Sequence, residues 1–336
     1  MEVSVLMSVH NGSAYLQNAM DSVLSQTFRD FEFLVIDDAS TDDTPSIIKS
    51  YVDPRIRPIY NKANCGLTVS LNIGLGQAAG KWIVRLDSDD IMMPTRLQTQ
   101  LQFVHQNKCS VCFTNAIVRD VAKGTSTYWR QTSWPMVAWA GLFFNSYGLH
   151  SAVTFRKSTI LGMQGYDETF PFAQDYDLFD RLNAAGEEFG YVDEPLITLN
   201  RHNDQISFRK LEEQDRCARR ISFRAIRRCQ PGLTDEESLA LRWLFLPREH
   251  PPASVPVNLV DLAGHLVFRF LEVRSCAGFA RPVYKSLVYA LAHRYRALCS
   301  HGFRVPALKL AFKASLRTRN CLLPLQWFRW TCRSVK

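Results

Sequence analysis

The chain has 336 residues, of which 46% are hydrophobic, 12% aromatic and 21% charged. This composition excludes a disordered, collagen-like or coiled-coil protein, and the length predicts about two domains. The net charge of +8 is unevenly distributed. Residues 1–208 carry 16 Lys and Arg against 23 Asp and Glu, a net of −7, whereas residues 209–336 carry 24 against 9, a net of +15. An acidic first part and a basic second part predict two separate roles.

Hydrophobic periodicity predicts strands and helices that alternate over the first hundred residues. The predicted elements are the strand Val3–Val9, the helix Ser13–Gln26, the strand Phe31–Ile36, a helix ending at Tyr51, the strand Ile56–Tyr60, the helix Leu67–Ala79, the strand Trp82–Leu86 and the helix Pro94–Asn107. This order predicts an α/β fold, a mostly parallel sheet with helices on both faces.

Beyond residue 110 the predicted pattern becomes mixed. It has strands at Val111–Val118, Ala152–Phe155 and Tyr191–Asn200, and a helix at Asp175–Ala185. After about residue 208 the pattern turns helical and basic. There is neither a G-x-G-x-x-G after the first strand nor a G-x-x-x-x-G-K-[ST], which argues against a dinucleotide oxidoreductase and a P-loop NTPase.

Acidic residues follow two of the predicted strands at the point where each strand ends. Asp37 and Asp38 follow the second strand, and Asp87–Asp90 follows the fourth. Ligands of parallel sheets bind at the carboxyl ends of strands, and carboxylates at i and i+2 can converge on Mg²⁺ or Mn²⁺. A solvated acidic turn with an Asp as helix cap is the structural alternative for Asp87–Asp90.

Two further motifs carry groups suited to acid–base chemistry. Asp175 lies at the start of a predicted helix, where it can act either as a general base or as an N-cap. Asp177 and Asp180 either pair with Arg181 or serve as capping charges. His202 follows the last predicted strand, where Arg and His suit a pyrophosphate and a metal, although a lone His is more often structural.

In order and spacing these motifs resemble glycosyltransferase family 2, with its nucleotide-sugar GT-A fold. The resemblance rests on the segments Ser4–Gly12, Ser25–Phe28, Phe31–Thr44, Asn64–Asn72, Ala79–Trp82, Leu86–Pro94, Gln174–Leu182 and Arg201–Ser207. It predicts a GT-A catalytic domain over 1–208 and a basic, mainly helical region over 209–336. The sequence departs from the family at His10, where Tyr is usual, and at Gln174, where Glu often precedes the base. We expect His10 to alter nucleotide stacking.

The resemblance implies a metal-dependent, inverting transfer of a sugar from a UDP-sugar or another nucleotide-diphosphate donor. The acceptor would be a hydroxyl of a glycan or lipid-linked molecule in cell-surface polysaccharide or lipopolysaccharide synthesis. A non-catalytic nucleotide-sugar-binding or scaffold protein of the same fold is the alternative. The resemblance implies the catalytic base Asp175, the nucleotide-sugar ligands Ser8, Asp38, Arg85, Asp87 and Ser88, and the Mn²⁺ or Mg²⁺ ligands Asp89, Asp87 and His202.

Cysteine usage and the N-terminus predict the compartment. Nine Cys at irregular spacing, including the lone Cys109-x-x-Cys112, indicate free thiols in a reducing cytosol. Met1–Val5 predicts a strand rather than a signal peptide, and no stretch predicts a transmembrane helix. We therefore expect a cytoplasmic protein.

The basic second part predicts a partner. Basic residues beside Trp and Phe within 300–336 suit an anionic bilayer, which would hold the protein on the inner face of the plasma membrane. A helical subdomain with solvated Arg faces is the alternative. No groove-reading motif indicates nucleic acid binding. Trp134 and Trp139 are candidates either for sugar stacking in an acceptor wall or for core packing.

Overall fold

The computed structural model describes residues 1–130, 134–202, 205, 210–246, 249–274 and 280–294. The chain divides into two compact units. The first unit comprises Met1–Trp134 and Tyr147–Ala218, and the second comprises Pro135–Ser146 and the described residues from Arg219 onward. The domain boundary predicted at residue 208 and the predicted membrane-binding segment 300–336 lie outside the described residues.

The strands and helices that the sequence predicts for the first unit are present in the predicted order. The strands are β1 (Val3–Val9), β2 (Phe31–Asp37), β3 (Ile56–Tyr60), β4 (Trp82–Arg85), β5 (Ile91–Met92), β6 (Val111–Asp120), β7 (Thr125–Trp129), β8 (Thr154–Arg156) and β9 (Phe189–Arg201). The helices of the whole described chain are α1 (Ser13–Leu24), α2 (Thr44–Ser50), α3 (Leu67–Gln77), α4 (Arg96–Asn107), α5 (Trp134–Ala140), α6 (Lys157–Gly162), α7 (Gln174–Ala184), α8 (Leu211–Cys229), α9 (Asp235–Phe245), α10 (Leu259–Arg274) and α11 (Ala280–His293).

The strands of the first unit form one sheet in the order β3-β2-β1-β4-β8-β6-β9-β5, and β7 pairs with β6. The strands of the alternating part, β1 to β4, pair in parallel, as do β6 and β9. The strands β5, β7 and β8 add antiparallel pairs. Every residue of β1 and β2 is buried, the pattern of strands covered on both faces. The predicted α/β fold class is confirmed.

A buried carboxylate ties β1 and β2 together at the edge where these strands begin. Glu32 of β2 accepts a hydrogen bond from Ser4 Oγ at 2.6 Å and pairs with Arg57. Gly80 packs so closely on β1 that an added Cβ would lie 2.4 Å from the Ser4 nitrogen. The Ala79-Gly80 motif therefore holds β4 in place at this end and leaves the opposite edge for ligands.

The second unit has an aromatic core around Trp139. This side chain is 2% exposed and packs edge-to-face against Phe143, Phe245 and Phe270. Its indole N–H donates to Ser286 Oγ at 3.1 Å. Of the two interpretations that the sequence leaves open for Trp139, the structure supports core packing. The side chain of Trp134 lies outside the described side chains.

Some of the basic residues of the second unit stabilise its fold. The buried carboxylate of Glu249 pairs with Arg219 at 2.7 Å and with the buried Arg242 at 2.6 Å. A charge in a protein interior needs such partners, because desolvation strongly disfavours a lone ion. In the part of the chain that the structure describes, each helix is too short or too polar to cross a bilayer.

Candidate functional site

Asp87–Asp90, here called the acid turn, follows β4 directly. The Asp87 N–H donates to Ser151 Oγ at 2.9 Å, and the fully buried Arg85 donates from Nη2 to Asp87 Oδ1 at 2.5 Å. Asp90 is buried, and its Oδ1 accepts from the main-chain N–H of Asn200 at 3.0 Å. The acid turn is thus fixed to β9 and to the segment before β8. Arg85 and Asp87, both predicted to bind the nucleotide sugar, contact each other.

The side chain of Asp89 meets residues from the end of β9. Its Oδ2 accepts from His202 Nε2 and from Gln205 Nε2, each at 3.0 Å. The His202 ring stacks on Tyr15 with centroids 4.4 Å apart, and its buried Nδ1 has no hydrogen-bond partner among the described residues. The fold therefore brings together Asp89 and His202, which are 113 positions apart in the sequence.

Electrostatic repulsion is concentrated in the acid turn. Burial raises the pKa of Asp89, and the Asp87 charge raises it further, although hydrogen bonds from Gln205 and His202 partly oppose both. Burial and the charges of Asp89 and Asp87 hold the pKa of Asp90 well above its usual value. Adjacent carboxylates with raised pKa values are a favourable environment for a cation.

The described residues contain no group of three or more His, Cys, Asp or Glu side chains arranged to hold a metal ion. These side chains nevertheless have ligand atoms that suit Mn²⁺ or Mg²⁺. Asp87 and Asp89 offer hard carboxylate oxygens, and the His202 Nε2 atom lies within hydrogen-bond distance of Asp89. The metal roles of these residues stay predictions.

Asp38, just after β2, has a different environment. Its buried carboxylate accepts from Asn61 Nδ2 at 2.8 Å, from the Cys65 N–H at 3.0 Å and from the Gly66 N–H at 2.8 Å. Burial alone would raise the pKa of Asp38, but these hydrogen bonds outweigh it and lower the pKa. Asp38 therefore holds the loop before α3 against the sheet, and its predicted contact with a nucleobase remains untested.

The neighbouring loops are held in the same way. Asp42 accepts from the N–H groups of Ser13 and Thr44, each at 3.0 Å. Burial raises the pKa of Asp42, but hydrogen bonds from the side chains and main-chain N–H groups of Thr44 and Ser13 outweigh it and bring the pKa to about 2. His10, which departs from the family pattern, donates from Nδ1 to the Asp38 carbonyl at 2.8 Å. At this position His10 therefore stabilises the loop itself.

Asp175 lies in the first turn of α7, and its Oδ1 accepts from the Tyr176 N–H at 2.8 Å. Asp177 pairs with Arg181 at 2.8 Å, one of the two interpretations that the sequence leaves open. Burial raises the pKa of Tyr166; the charge of Arg85 lowers it, and those of Asp175 and Asp87 raise it. The predicted base and the acid turn therefore both face the region around Tyr166.

The two serines predicted as donor ligands lie at the same edge of the sheet. Ser8 is buried near the end of β1, opposite Ile36 of β2. Ser88 lies beside Gly12, where an added Cβ would be 3.4 Å from Ser88 Oγ. Their contacts with a nucleotide sugar stay predictions.

The sequence analysis assigned no individual role to several residues of the site. The additional residues are Tyr15, His150, Ser151, Tyr166, Asn200 and Gln205. His150 hydrogen-bonds through Nε2 to the Tyr166 hydroxyl at 2.8 Å. One signal for His150 exists in the sequence, because it lies in a stretch without Asp, Glu, Lys or Arg between Arg130 and Arg156.

The fold is of the GT-A type. It matches S. aureus TarS 1-349 in complex with UDP-GlcNAc with a TM-score of 0.58, over 94% of this chain and 92% of that chain. The sequences are 16% identical, so this likeness concerns the fold alone.

Sequence comparison defines the family. Residues 4–162 match the model of glycosyl transferase family 2. An uncharacterized glycosyltransferase of Haemophilus influenzae is 29% identical over 236 residues, which cover 65% of this chain and 71% of that protein. The hyaluronan synthase of Pasteurella multocida is 31% identical over 216 residues, which cover 62% of this chain but 21% of the synthase. The predicted resemblance to glycosyltransferase family 2 is confirmed over residues 4–162.

Proposed function

We propose that the protein transfers a sugar, with inversion, from a nucleotide-diphosphate donor to a hydroxyl group of a glycan or lipid-linked acceptor. The donor is a UDP-sugar and the pathway builds a cell-surface polysaccharide or lipopolysaccharide. The name of the hyaluronan synthase relative and the UDP-GlcNAc complex of TarS support the polysaccharide product and the UDP-sugar donor.

One observation carries this proposal. Hydrogen bonds link the acid turn, which contains Asp87, to the helix that begins with Asp175. The Asp87 N–H donates to Ser151 at 2.9 Å, and the next residue, His150, contacts the Tyr166 hydroxyl at 2.8 Å. Arg181 of α7 in turn donates to the Gly165 carbonyl, just before Tyr166, at 2.8 Å. Inverting transfer needs one group that holds the leaving diphosphate and another that takes the acceptor proton. Carboxylates on two separate elements that face one region can serve these two roles.

Each predicted residue then has a chemical task. Asp175 accepts the proton of the acceptor hydroxyl as the oxygen attacks the anomeric carbon, and Ser8 and Asp38 hold the nucleobase. Arg85 orients the Asp87 carboxylate by donating to it. Asp89, Asp87 and His202 would hold Mn²⁺ or Mg²⁺. Such a cation, when bound, offsets the negative charge that develops on the leaving nucleoside diphosphate.

A panel of nucleotide sugars tests the proposal. The full chain is heated with UDP-, GDP- and dTDP-sugars in the presence of MnCl₂ or EDTA, with ATP as the control for general polyphosphate binding. A donor that binds only the folded protein raises its melting temperature. We expect one UDP-sugar to do so with MnCl₂ and to release UDP. If no nucleotide sugar stabilises the protein or is turned over, the proposal is wrong.

The basic C-terminal part provides a second proposal, that the enzyme binds the anionic inner face of the plasma membrane, where a lipid-linked acceptor would be available. Its support is the composition of residues 300–336, where basic residues neighbour Trp and Phe. The full chain and a chain ending at residue 299 are compared for sedimentation with anionic and neutral liposomes. Equal binding by both chains would contradict the proposal.

A further inference from the structure

A short helical turn connects the acid turn with Tyr166. The 3₁₀ helix His150–Ala152 precedes β8. The buried Ser151 accepts from the Asp87 N–H at 2.9 Å. The adjacent residue, His150, contacts the Tyr166 hydroxyl through Nε2 at 2.8 Å. Two consecutive side chains thus reach in two directions, one toward the acid turn and the other toward Tyr166.

The segment before Tyr166 is in turn fixed to the helix that carries Asp175. Arg181 of α7 donates from Nη1 to the Met163 carbonyl at 2.6 Å and from Nη2 to the Gly165 carbonyl at 2.8 Å. The same guanidinium pairs with the buried Asp177 one turn earlier in α7. This helix and the segment ending at Tyr166 therefore form one rigid part of the fold.

A third element fixes the main chain of Tyr166. Asn72 of α3 accepts from the Tyr166 N–H at 2.9 Å and donates to the Tyr166 carbonyl at 2.8 Å. The main chain of Tyr166 is thus fixed to α3, while its hydroxyl reaches His150. Hydrogen bonds among buried polar groups of this kind specify one arrangement of the elements that they join.

We propose that His150, Ser151 and Tyr166 are positioning residues, which set the place of the acid turn relative to Asp175. We call these three residues, together with Arg181, the bridging network. The inference rests on the proposed function, in which the acid turn holds the donor diphosphate and Asp175 takes the acceptor proton. The bridging network itself takes no proton and contacts no reacting atom.

The charge state of the network suits this role. Burial, together with the nearby Arg85 charge, lowers the pKa of His150 to about 3, although the Asp87 charge opposes the shift. The imidazole is therefore neutral at physiological pH and adds no positive charge to the site. A neutral hydrogen bond can hold the geometry without lowering the basicity of Asp175. Misplacement of a reacting group by about 1 Å can reduce a rate by about 100-fold.

The first test removes one hydroxyl group. Tyr166→Phe deletes the contact with His150, and Tyr191→Phe is the matched control, because the Tyr191 hydroxyl donates to the Tyr147 carbonyl at 2.9 Å in the same unit. The readouts are kcat and donor KM for the UDP-sugar that the wild-type chain turns over, UDP-GlcNAc being tried first, and stabilisation by UDP with MnCl₂. We expect Tyr166→Phe to lower kcat by about tenfold or more, with donor KM and stabilisation by UDP within about twofold.

The second test replaces the imidazole in two ways. His150→Gln can place an amide near the position of Nε2, whereas His150→Leu has a similar volume and leaves the Tyr166 hydroxyl without this partner. We expect His150→Gln to retain about a third of the wild-type kcat or more and His150→Leu to lower kcat by about tenfold. If Tyr166→Phe does not fold, the comparison of His150→Gln with His150→Leu tests the inference by itself. Combining His150→Leu with Tyr166→Phe should lower kcat little beyond the worse single variant, since both remove one contact.

The outcomes separate the inference from the proposed function. If the wild-type chain turns over no nucleotide sugar, the proposed function is wrong and the inference falls with it. If the wild type is active and Tyr166→Phe keeps the kcat of Tyr191→Phe, or His150→Leu that of His150→Gln, the inference alone is overturned. The kcat values are normalised to the folded fraction of each variant, and a loss of kcat that disappears on this normalisation would also overturn the inference.

Discussion

Two groups of aspartates lie at the same edge of the sheet and have opposite electrostatic properties. Asp38 and Asp42, here called the amide-bound pair, accept hydrogen bonds from neighbouring side chains and from main-chain N–H groups, and together these lower the pKa of both carboxyls against the effect of burial. In the acid turn, burial and mutual repulsion raise the pKa values of Asp89 and Asp90. The two groups share the residue type and the position after a strand, but they differ in the hydrogen-bond donors that surround their carboxylates.

The difference distinguishes carboxylates that stabilise a loop from carboxylates that are suited to bind a cation. A carboxylate that accepts several N–H donors is held in one position and stabilises its loop. A carboxylate that is buried beside like charges gains from a cation, so it is suited to bind one. The comparison therefore predicts that mutations in the acid turn and at Asp175 affect turnover without loss of stability, whereas those in the amide-bound pair lower the stability of the fold.

The largest effect is expected at Asp175. Replacing it with Asn removes the predicted base, and we expect kcat to fall by about 10²–10⁴-fold while donor binding is retained. Steady-state kinetics and stabilisation by UDP with MnCl₂ measure the two quantities. Asp193→Asn is the control, since Asp193 is an exposed carboxylate paired with Arg130. An Asp175→Asn variant with ordinary kcat would remove the basis of the catalytic assignment.

The next effect is expected at Asp89. Asn keeps an oxygen that can accept from His202 and Gln205 but loses the charge that repels Asp87. We expect turnover with MnCl₂ to fall by about 100-fold, and the melting temperature to stay the same or rise because repulsion is relieved. Kinetic assays and thermal unfolding on the same preparation test both parts. A clear drop in melting temperature would place Asp89 with the amide-bound pair instead.

Substitution of Asp38 should lower the stability of the fold, in contrast to substitution of Asp89. Asp38→Asn weakens the acceptor for the Cys65 and Gly66 N–H groups, so the free energy of unfolding should fall by about 1–3 kcal/mol. Urea unfolding measures the loss. The control is Asp30→Asn, because Asp30 is exposed and accepts from the Glu2 N–H. An Asp38→Asn variant as stable as this control would show that the hydrogen bonds of Asp38 do not stabilise the loop.

The smallest effect is a pH dependence at Asp42. Its folded-state pKa of about 2 lies below the usual 3.8, so its stabilising contribution is fully present above pH 3.8 and is lost as the pH falls through about 2. Asp42→Asn should therefore be less stable than the wild type by less than about 1 kcal/mol at neutral pH. This difference should shrink between about pH 4 and pH 2. Urea unfolding at several pH values tests the sign, and a difference that grows on acidification would contradict it.

Local pattern alone predicted much of the first unit. The continuous apolar runs of β1 and β2 specify buried parallel strands, and the acids that follow the strands are visible in the sequence itself. The two-residue strand β5 and the exposed strand β7 were not predicted. The first is too short to show a period, and the second lacks buried residues. Their place in the sheet depends on the partner strand.

The order of motifs along the chain indicated the family resemblance. The acidic residues after the strands indicated the residue types at the site, because ligands of parallel sheets bind at the carboxyl ends of strands. Only the tertiary structure decided which aspartates are held by N–H donors and which repel one another. It also decided that His150 meets Tyr166 and that Trp139 is core. The physical reason is that a pKa or a hydrogen bond depends on groups distant in sequence, which only packing brings within a few ångströms.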